Sequence, residues 1–318
     1  MTARSIACRG RGILALSIML LAALPSSASA WNAAGHRLAA AIAWDNMKPE
    51  IREEATRLLH QHPDHAHWLK RAGNDDTDRK VFIEASTWPD VIRKDTRFYS
   101  AGIEEPTPTL PGFPDMERRA NWHYVNIPLD TPGNKTPISG MLDRQLVELP
   151  KTLVDSDSEH KRAYVLPWII HLAAEAHQPL HTSARRATED KWDKLGNGLE
   201  VQNPFNSRKP VSTLHAFWDD LPGPPWLKGE RLDAAARALM AAHPRPGRMT
   251  SSKHWIEESW LIARDSAYPA ENEAVPVISE AFFENSRKIA DQRIALAGYR
   301  LADLLNRVLA PASRKNQR

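Results

Sequence analysis

The sequence predicts an all-α fold, a single mainly helical domain with short β segments. Three observations lead there. Apolar residues recur at helical spacing through most of the chain, above all across residues 276–309, where Ile278, Phe282, Ile289, Ile294, Leu301, Leu305 and Val308 keep one face. Strand-like runs are few and short. The 318 residues, 42% apolar and 25% charged, have an ordinary globular composition, with no internal repeat or low-complexity block dividing them.

Taken in order, residues 1–30 have the three parts of a secretory signal. Arg4, Arg9 and Arg11 form a charged start, Ile13 to Leu24 is a short apolar run, and Ala28-Ser29-Ala30 is a small-residue cleavage site. The apolar run is well short of the roughly 20 residues that span a bilayer. The only cysteine, Cys8, lies in this segment, so the mature chain would have no disulfide and no thiolate site. The formal charge of +3 also resides there, since these 30 residues hold three arginines and no acid. The body is neutral, and its overall charge points to no partner. The expected localisation is secreted or periplasmic, with no membrane association after cleavage.

Residues 33–46 and a stretch from Pro49 to about Leu59 have helical patterns, Pro49 suiting a first turn. His60, His62, His65 and His67 follow around Pro63, and the polar context predicts an exposed turn outside any site. A helix start is expected near Pro89. The four prolines of 103–119 make a loop, and 121–128 is expected to be extended. Asn134-Lys-Thr136 matches a glycosylation sequon, a triplet frequent by chance. A helix is expected from about Asp157 to His177, kinked or broken at Pro167. Residues 191–201 predict a turn leading into a short strand, with Gly196 and Gly198 allowing close backbone approach. Helices follow over 211–220, 230–242, 252–266 and 276–309. The tail from 311 to 318 is expected to be disordered, leaving 31–310 as the folded domain.

The chemistry concentrates in His171-Leu-Ala-Ala-Glu175-Ala-His177-Gln-Pro-Leu-His181. His171 and Glu175 are four residues apart, so both can reach one cation from a single helix face. Pro179 ends that helix and sends His181 elsewhere. A lone histidine on an apolar face is usually a hydrogen-bonded core residue, but here the pattern recurs: His215 and Asp219 repeat the same spacing. Imidazole with carboxylate is the usual ligand mixture of hydrolytic zinc. Asp90 and Arg93 would share a helix turn, the carboxylate suited to metal or a water proton and the guanidinium to a phosphate. His123 adds another imidazole. Cleavage after Ala30 would make Trp31 the first residue, its amine and carbonyl a ready chelate, with His36 close behind. This set exceeds the needs of one zinc and would suit two or three ions, an arrangement that activates water and clamps a phosphate oxygen.

In order and spacing these residues resemble the S-one/P-one (S1/P1) family of zinc-dependent single-strand nucleases and the plant bifunctional nucleases. The resemblance covers essentially the whole mature chain. It rests on Trp31 with His36, Trp88-Pro-Asp90 with Arg93, His123, the His171 to His181 block, Gly196-Asn197, Leu214-His215-Ala-Phe-Trp218-Asp219 and the C-terminal stretch 297–306. It implies the helical zinc nuclease/phospholipase C fold and three zinc ions. Asp90, His123 and His171 would hold one, Trp31 and His36 a second with Glu175 bridging the two, and His181, His215 and Asp219 the third. It further implies attack by a water oriented by Asp90, charge stabilisation by Arg93, and 5′-phosphate products. Asn197 would hold a base or nucleotide. Single-stranded DNA, RNA and nucleotides are the implied substrates, with 3′-nucleotidase activity as a further option and a monomer without stable protein partners. The family usually has Asp where this chain has Glu175, one methylene longer. The alternatives are a zinc phospholipase C, disfavoured by the helices after Asp219, and a non-catalytic zinc-binding homologue decayed at Glu175. His177 is expected beside the site or at the surface rather than among the ligands.

Overall fold

A computed structural model of the protein describes residues 31–73, 77–130, 135–247, 250–270 and 275–311. The signal segment, Asn134 of the sequon and tail residues 312–318 lie outside the described residues. Eleven α-helices dominate the described residues: α1 (Ala33–Asn46), α2 (Pro49–His60), α3 (His65–Ala72), α4 (Thr77–Ala85), α5 (Trp88–Val91), α6 (Leu142–Asp155), α7 (Glu159–Glu175), α8 (Leu214–Asp220), α9 (Gly229–Ala242), α10 (Ser252–Ser266) and α11 (Glu280–Val308). Among the described residues, strands form three antiparallel pairs: β1 (Val125–Asn126) with β2 (Ser139–Gly140), β3 (Arg186–Thr188) with β4 (Lys191–Trp192), and β5 (Glu200–Gln202) with β6 (Val211–Thr213). The fold is all-α. No helix among the described residues is long and apolar enough to cross a membrane.

Local chemistry sets the helix starts. Side chains of Asn32, Ser158, Thr213, Ser251 and Ser279 accept from backbone N–H groups in the first turns of α1, α7, α8, α10 and α11, filling donors that have no partner inside the helix. Pro49 opens α2, where its missing N–H costs nothing. From Arg162 to Glu175 every residue of α7 is buried, so this helix is enclosed on all sides. It packs against α6, α2, α11 and α1. The α1 and α11 helices cross closely at Gly298, where a Cβ would fall 2.6 Å from Ile42 Cβ.

The structure departs from the sequence expectations at several places. The α7 helix runs through Pro167 unbroken, because burial all round holds a segment that an exposed helix would lose at a proline. The 60–67 stretch is an exposed turn only in part: 61–64 turn before His65 begins α3, and His60 and His67 are exposed, but His62 is buried against Trp68, Trp88 and Phe113. Beside it the buried Asp64 accepts from Trp88 Nε1 at 2.7 Å and from Arg97 at 2.8 and 3.0 Å. Residues 120–122 form a 3-10 turn where extended chain was expected, and 211–213 pair as a strand before α8 begins. The helices α3, α4 and α6 were not anticipated.

Candidate metal centre

Six segments converge on one buried point. Helix α1 supplies His36, and α5 supplies Asp90, with Arg93 in the 3-10 turn that continues it. The 120–122 turn delivers His123, the last turn of α7 His171 and Glu175, the 3-10 turn 179–182 His181, and α8 His215 and Asp219. Ligand atoms of Asp90, His123, His171 and Glu175 lie within 4.8 Å of one another, as do those of His181, His215 and Asp219. His36 stacks on His171 with centroids 3.9 Å apart, and its Nε2 is 3.8 Å from Asp90 Oδ2.

Backbone carbonyls set the tautomers. His171, His181 and His215 each place Nδ1 against a carbonyl: Ser86 at 2.8 Å, His123 at 2.7 Å and Leu195 at 2.7 Å. A carbonyl only accepts, so each Nδ1 carries a proton, and in the neutral ring Nε2 then offers its lone pair toward the centre. The result is acceptor facing acceptor. His181 Nε2 and His215 Nε2 are 3.3 Å apart, with Asp219 Oδ2 3.3 Å from the latter. His171 differs: its Nε2 lies 2.7 Å from Glu175 Oε1 and 3.0 Å from His123 Nδ1, and although burial opposes it the Glu175 and Asp90 carboxylates raise the pKa of this imidazole, so its charge offsets theirs. The facing nitrogens of His181 and His215 are repulsive unless a cation lies between them.

Unpartnered atoms mark the same place. Both ring nitrogens of His36, Oδ1 of Asp90, Nε2 of His123 and Oε2 of Glu175 are buried without a hydrogen bond. Buried polar atoms ordinarily find partners, and several orphans at one point mark a missing group. Burial drives the His36 imidazole down to about 3 and that of His123 to about 4, so both are neutral, the form that binds metal. Burial also pushes the Asp219 carboxyl well above its usual range, although Gln178 Nε2 donates to its Oδ1 at 3.0 Å. The donor set of neutral imidazoles and carboxylates fits divalent metal.

Glu175 links the two groups. Its Oε1 lies 3.0 Å from His123 Nδ1, and its Oε2 is 2.9 Å from His181 Nδ1. The second oxygen therefore lies beside the His181 nitrogen that faces His123 O. Trp31 is buried beside the centre: its indole donates to Ala174 O at 3.2 Å, and Asn32 N donates to Asp219 O at 3.1 Å. The chain at 31–32 thus sits between the last turns of α7 and α8. Arg93 Nη1 is 3.5 Å from Asp90 Oδ1. Arg93, His123, His181 and Asn197 line an open cleft of about 600 Å³ beside the centre.

The residues expected as ligands from the sequence, with Arg93 and Asn197, are therefore at or beside this point. His177 is not: it is buried, donates from Nδ1 to Ala173 O at 2.7 Å and accepts at Nε2 from Arg300 at 2.9 Å. Gln178 escaped as a support for Asp219, though its place in the His-Gln-Pro-Leu-His run was a signal. The three orienting carbonyls carry no side-chain signal at all.

Comparison with known proteins agrees with this geometry. A search of curated proteins returns no match. The S1/P1 nuclease family profile matches residues 31–310, nearly the whole described chain. Helical fold, paired imidazole–carboxylate groups and profile coincide, and the chain belongs to the S1/P1 nuclease family.

Proposed function

We propose that the protein is an exported zinc-dependent endonuclease that hydrolyses phosphodiester bonds of single-stranded DNA and RNA to 5′-phosphate products, with 3′-nucleotidase activity on small substrates. The observation that carries this reading is the convergence of inward-pointing, unpartnered nitrogen and carboxylate atoms beside an open cleft. The protein would act after cleavage before Trp31, with three zinc ions held by Trp31, His36, Asp90, His123, His171, Glu175, His181, His215 and Asp219. Bound zinc lowers the pKa of water and offsets phosphate charge.

The chain's own residues divide the remaining work. Asp90 keeps Oδ1 free of hydrogen bonds, so it can orient a water and accept its proton. Arg93 holds its guanidinium beside that carboxylate and lines the cleft, where it can follow charge onto the phosphoryl oxygens. Asn197 faces the cleft from the turn after β4, anchored by its own Nδ2 donating to Lys194 O at 2.9 Å, and contacts the nucleotide. The carbonyls behind His171, His181 and His215 hold ligand direction before substrate arrives, which limits reorganisation during the reaction.

The test uses protein beginning at Trp31, incubated with a single-stranded oligonucleotide with and without chelator, followed by analysis of product ends. Zinc-dependent release of 5′-phosphate fragments is expected. Intact oligonucleotide with fully zinc-loaded protein would overturn the reading.

A further inference from the structure

One wall of the cleft is built by the β3–β4 hairpin and the turn that follows it. Ala187, Lys191, Trp192, Lys194 and Leu195 line it together with Asn197. The metal ligands alone do not call for this wall, and its composition is selective. Lys191 and Lys194 join Arg93 at the cleft, and no Asp or Glu lines it among the described residues. Neither lysine side chain has an ion-pair partner among those residues. Of the acids next to them in sequence, Glu189 and Asp190 lie between the two strands and Asp193 is buried, and none lines the cleft. Trp192 brings an indole to the same wall. Arg186, its cross-strand neighbour, braces it with the guanidinium 4.6 Å from the ring centroid.

The turn is fixed in an uncommon shape. Lys194, Leu195 and Gly196 are consecutive left-handed residues, with φ of 54°, 64° and 80°. Two of them are not glycine, and such conformations persist only where the surroundings hold them. Asp193 does so. Its carboxylate accepts from Gly196 N at 3.1 Å, Arg185 N at 3.3 Å and Tyr268 Oη at 2.6 Å, and its carbonyl accepts from Gly198 N at 2.7 Å. The same turn presents Leu195 O to His215. The wall and a metal-ligating imidazole are therefore held by one short piece of backbone.

We propose that this wall is a second substrate-binding element that takes a nucleotide of a single strand outside the scissile pair. Trp192 stacks on its base, and Lys191 and Lys194 hold the flanking phosphates. The inference rests on the nuclease reading and extends it: the preferred substrate is an oligonucleotide of three or more residues. A base must be unstacked to reach an indole, which favours single strands over duplex.

The experiment compares zinc-loaded wild type with Trp192→Ala, Trp192→Phe and the double variant Lys191→Ala with Lys194→Ala. Each is assayed on a ten-residue oligonucleotide and on a dinucleoside monophosphate. Binding of a labelled phosphorothioate ten-mer is followed by anisotropy. Trp192→Ala should raise KM for the ten-mer at least about fivefold, as loss of one stacked base implies. It should leave kcat/KM on the dinucleotide within about twofold, and Trp192→Phe should restore most of the loss. The double lysine variant should lower the magnitude of the salt slope of ten-mer binding by about 1.4, two single-strand phosphates at roughly 0.7 each. Equal loss on both substrates, or none on the ten-mer, would overturn the proposal. If wild type binds the ten-mer but cuts neither substrate, the nuclease reading fails, and anisotropy alone decides whether the wall binds strand. No binding by wild type would overturn it as well.

Discussion

Removing the Glu258 carboxylate should destabilise the protein and loosen the turn that carries Gln178 and His181. Glu258 Oε2 accepts from Arg293 Nη1 and Arg300 Nη1, each at 2.7 Å, and Oε1 accepts from Arg300 Nη2 at 2.8 Å. The two arginine side chains are only 3% and 7% exposed, so Glu258→Ala leaves two buried cations without their carboxylate. Breaking a buried pair from one side costs about 3–5 kcal/mol. The lower end applies, because Arg293 keeps Ser259 Oγ at 2.8 Å, Arg300 keeps His177 Nε2 at 2.9 Å, and Glu258 itself is 26% exposed to water. A loss of about 3 kcal/mol lowers Tm by roughly 5 °C in a domain of this size, at about 2.1 cal/mol/K of unfolding entropy per residue. Arg293 also reaches His177 O, and Ser259 Oγ donates to Ala176 O at 2.6 Å, so the same network braces the turn before Gln178. Thermal unfolding of chelated protein, followed by circular dichroism, measures the effect. Adding Arg300→Leu to Glu258→Ala should recover part of it, because one of the stranded charges is gone. A single variant melting within about 2 °C of wild type, near 1 kcal/mol or less, would refute the reasoning.

Further outcomes follow from other sites. Gln178→Ala strips a side-chain donor from Asp219 Oδ1; competition with a chromophoric chelator should show one class of zinc weakened about 10- to 100-fold. Burial holds the His62 imidazole at about 3, against an unfolded value near 6.5, so below pH 6.5 the unfolded chain binds a proton the fold refuses. Its contribution is thus complete above pH 6.5 and falls by about 1.4 kcal/mol per pH unit until pH 3. Denaturant titrations of chelated protein should show a shallower dependence over this range in His62→Gln. One residue added before Trp31 should reduce bound zinc by one ion per chain, measured by metal analysis; an unchanged zinc content would remove the terminal amine from the site.

What could be read from the sequence was what periodicity and fixed spacing encode. The α1, α2, α10 and α11 helices carry continuous apolar faces, and the His171/Glu175 and His215/Asp219 pairs declare themselves by a four-residue interval. The α3 and α4 helices are short, and their ends hide in polar context, while Pro150 inside α6 disguises a helix whose Leu142, Leu146, Leu149 and Leu153 face inward. Burial of His62 depends on rings from three other segments, which no local pattern foretells. The cleft wall was legible only as a turn into a short strand. Its left-handed backbone and its cations become a surface only when Asp193 and Tyr268 fold it against α8.

The three carbonyls behind the imidazoles have a consequence for how such a centre varies over time. Ser86, His123 and Leu195 aim their neighbours' rings with main-chain oxygen, a group every amino acid owns. Replacing the side chain at 86 or 195 leaves that oxygen in place as long as the chain keeps its path. The aiming of the rings is therefore indifferent to much substitution at the contact points. It is vulnerable instead at residues that steer the path: Asp193, which closes the bend under Leu195, and Pro179, which turns the chain toward His181. Drift should be slow at those bends and free at the oxygens they point.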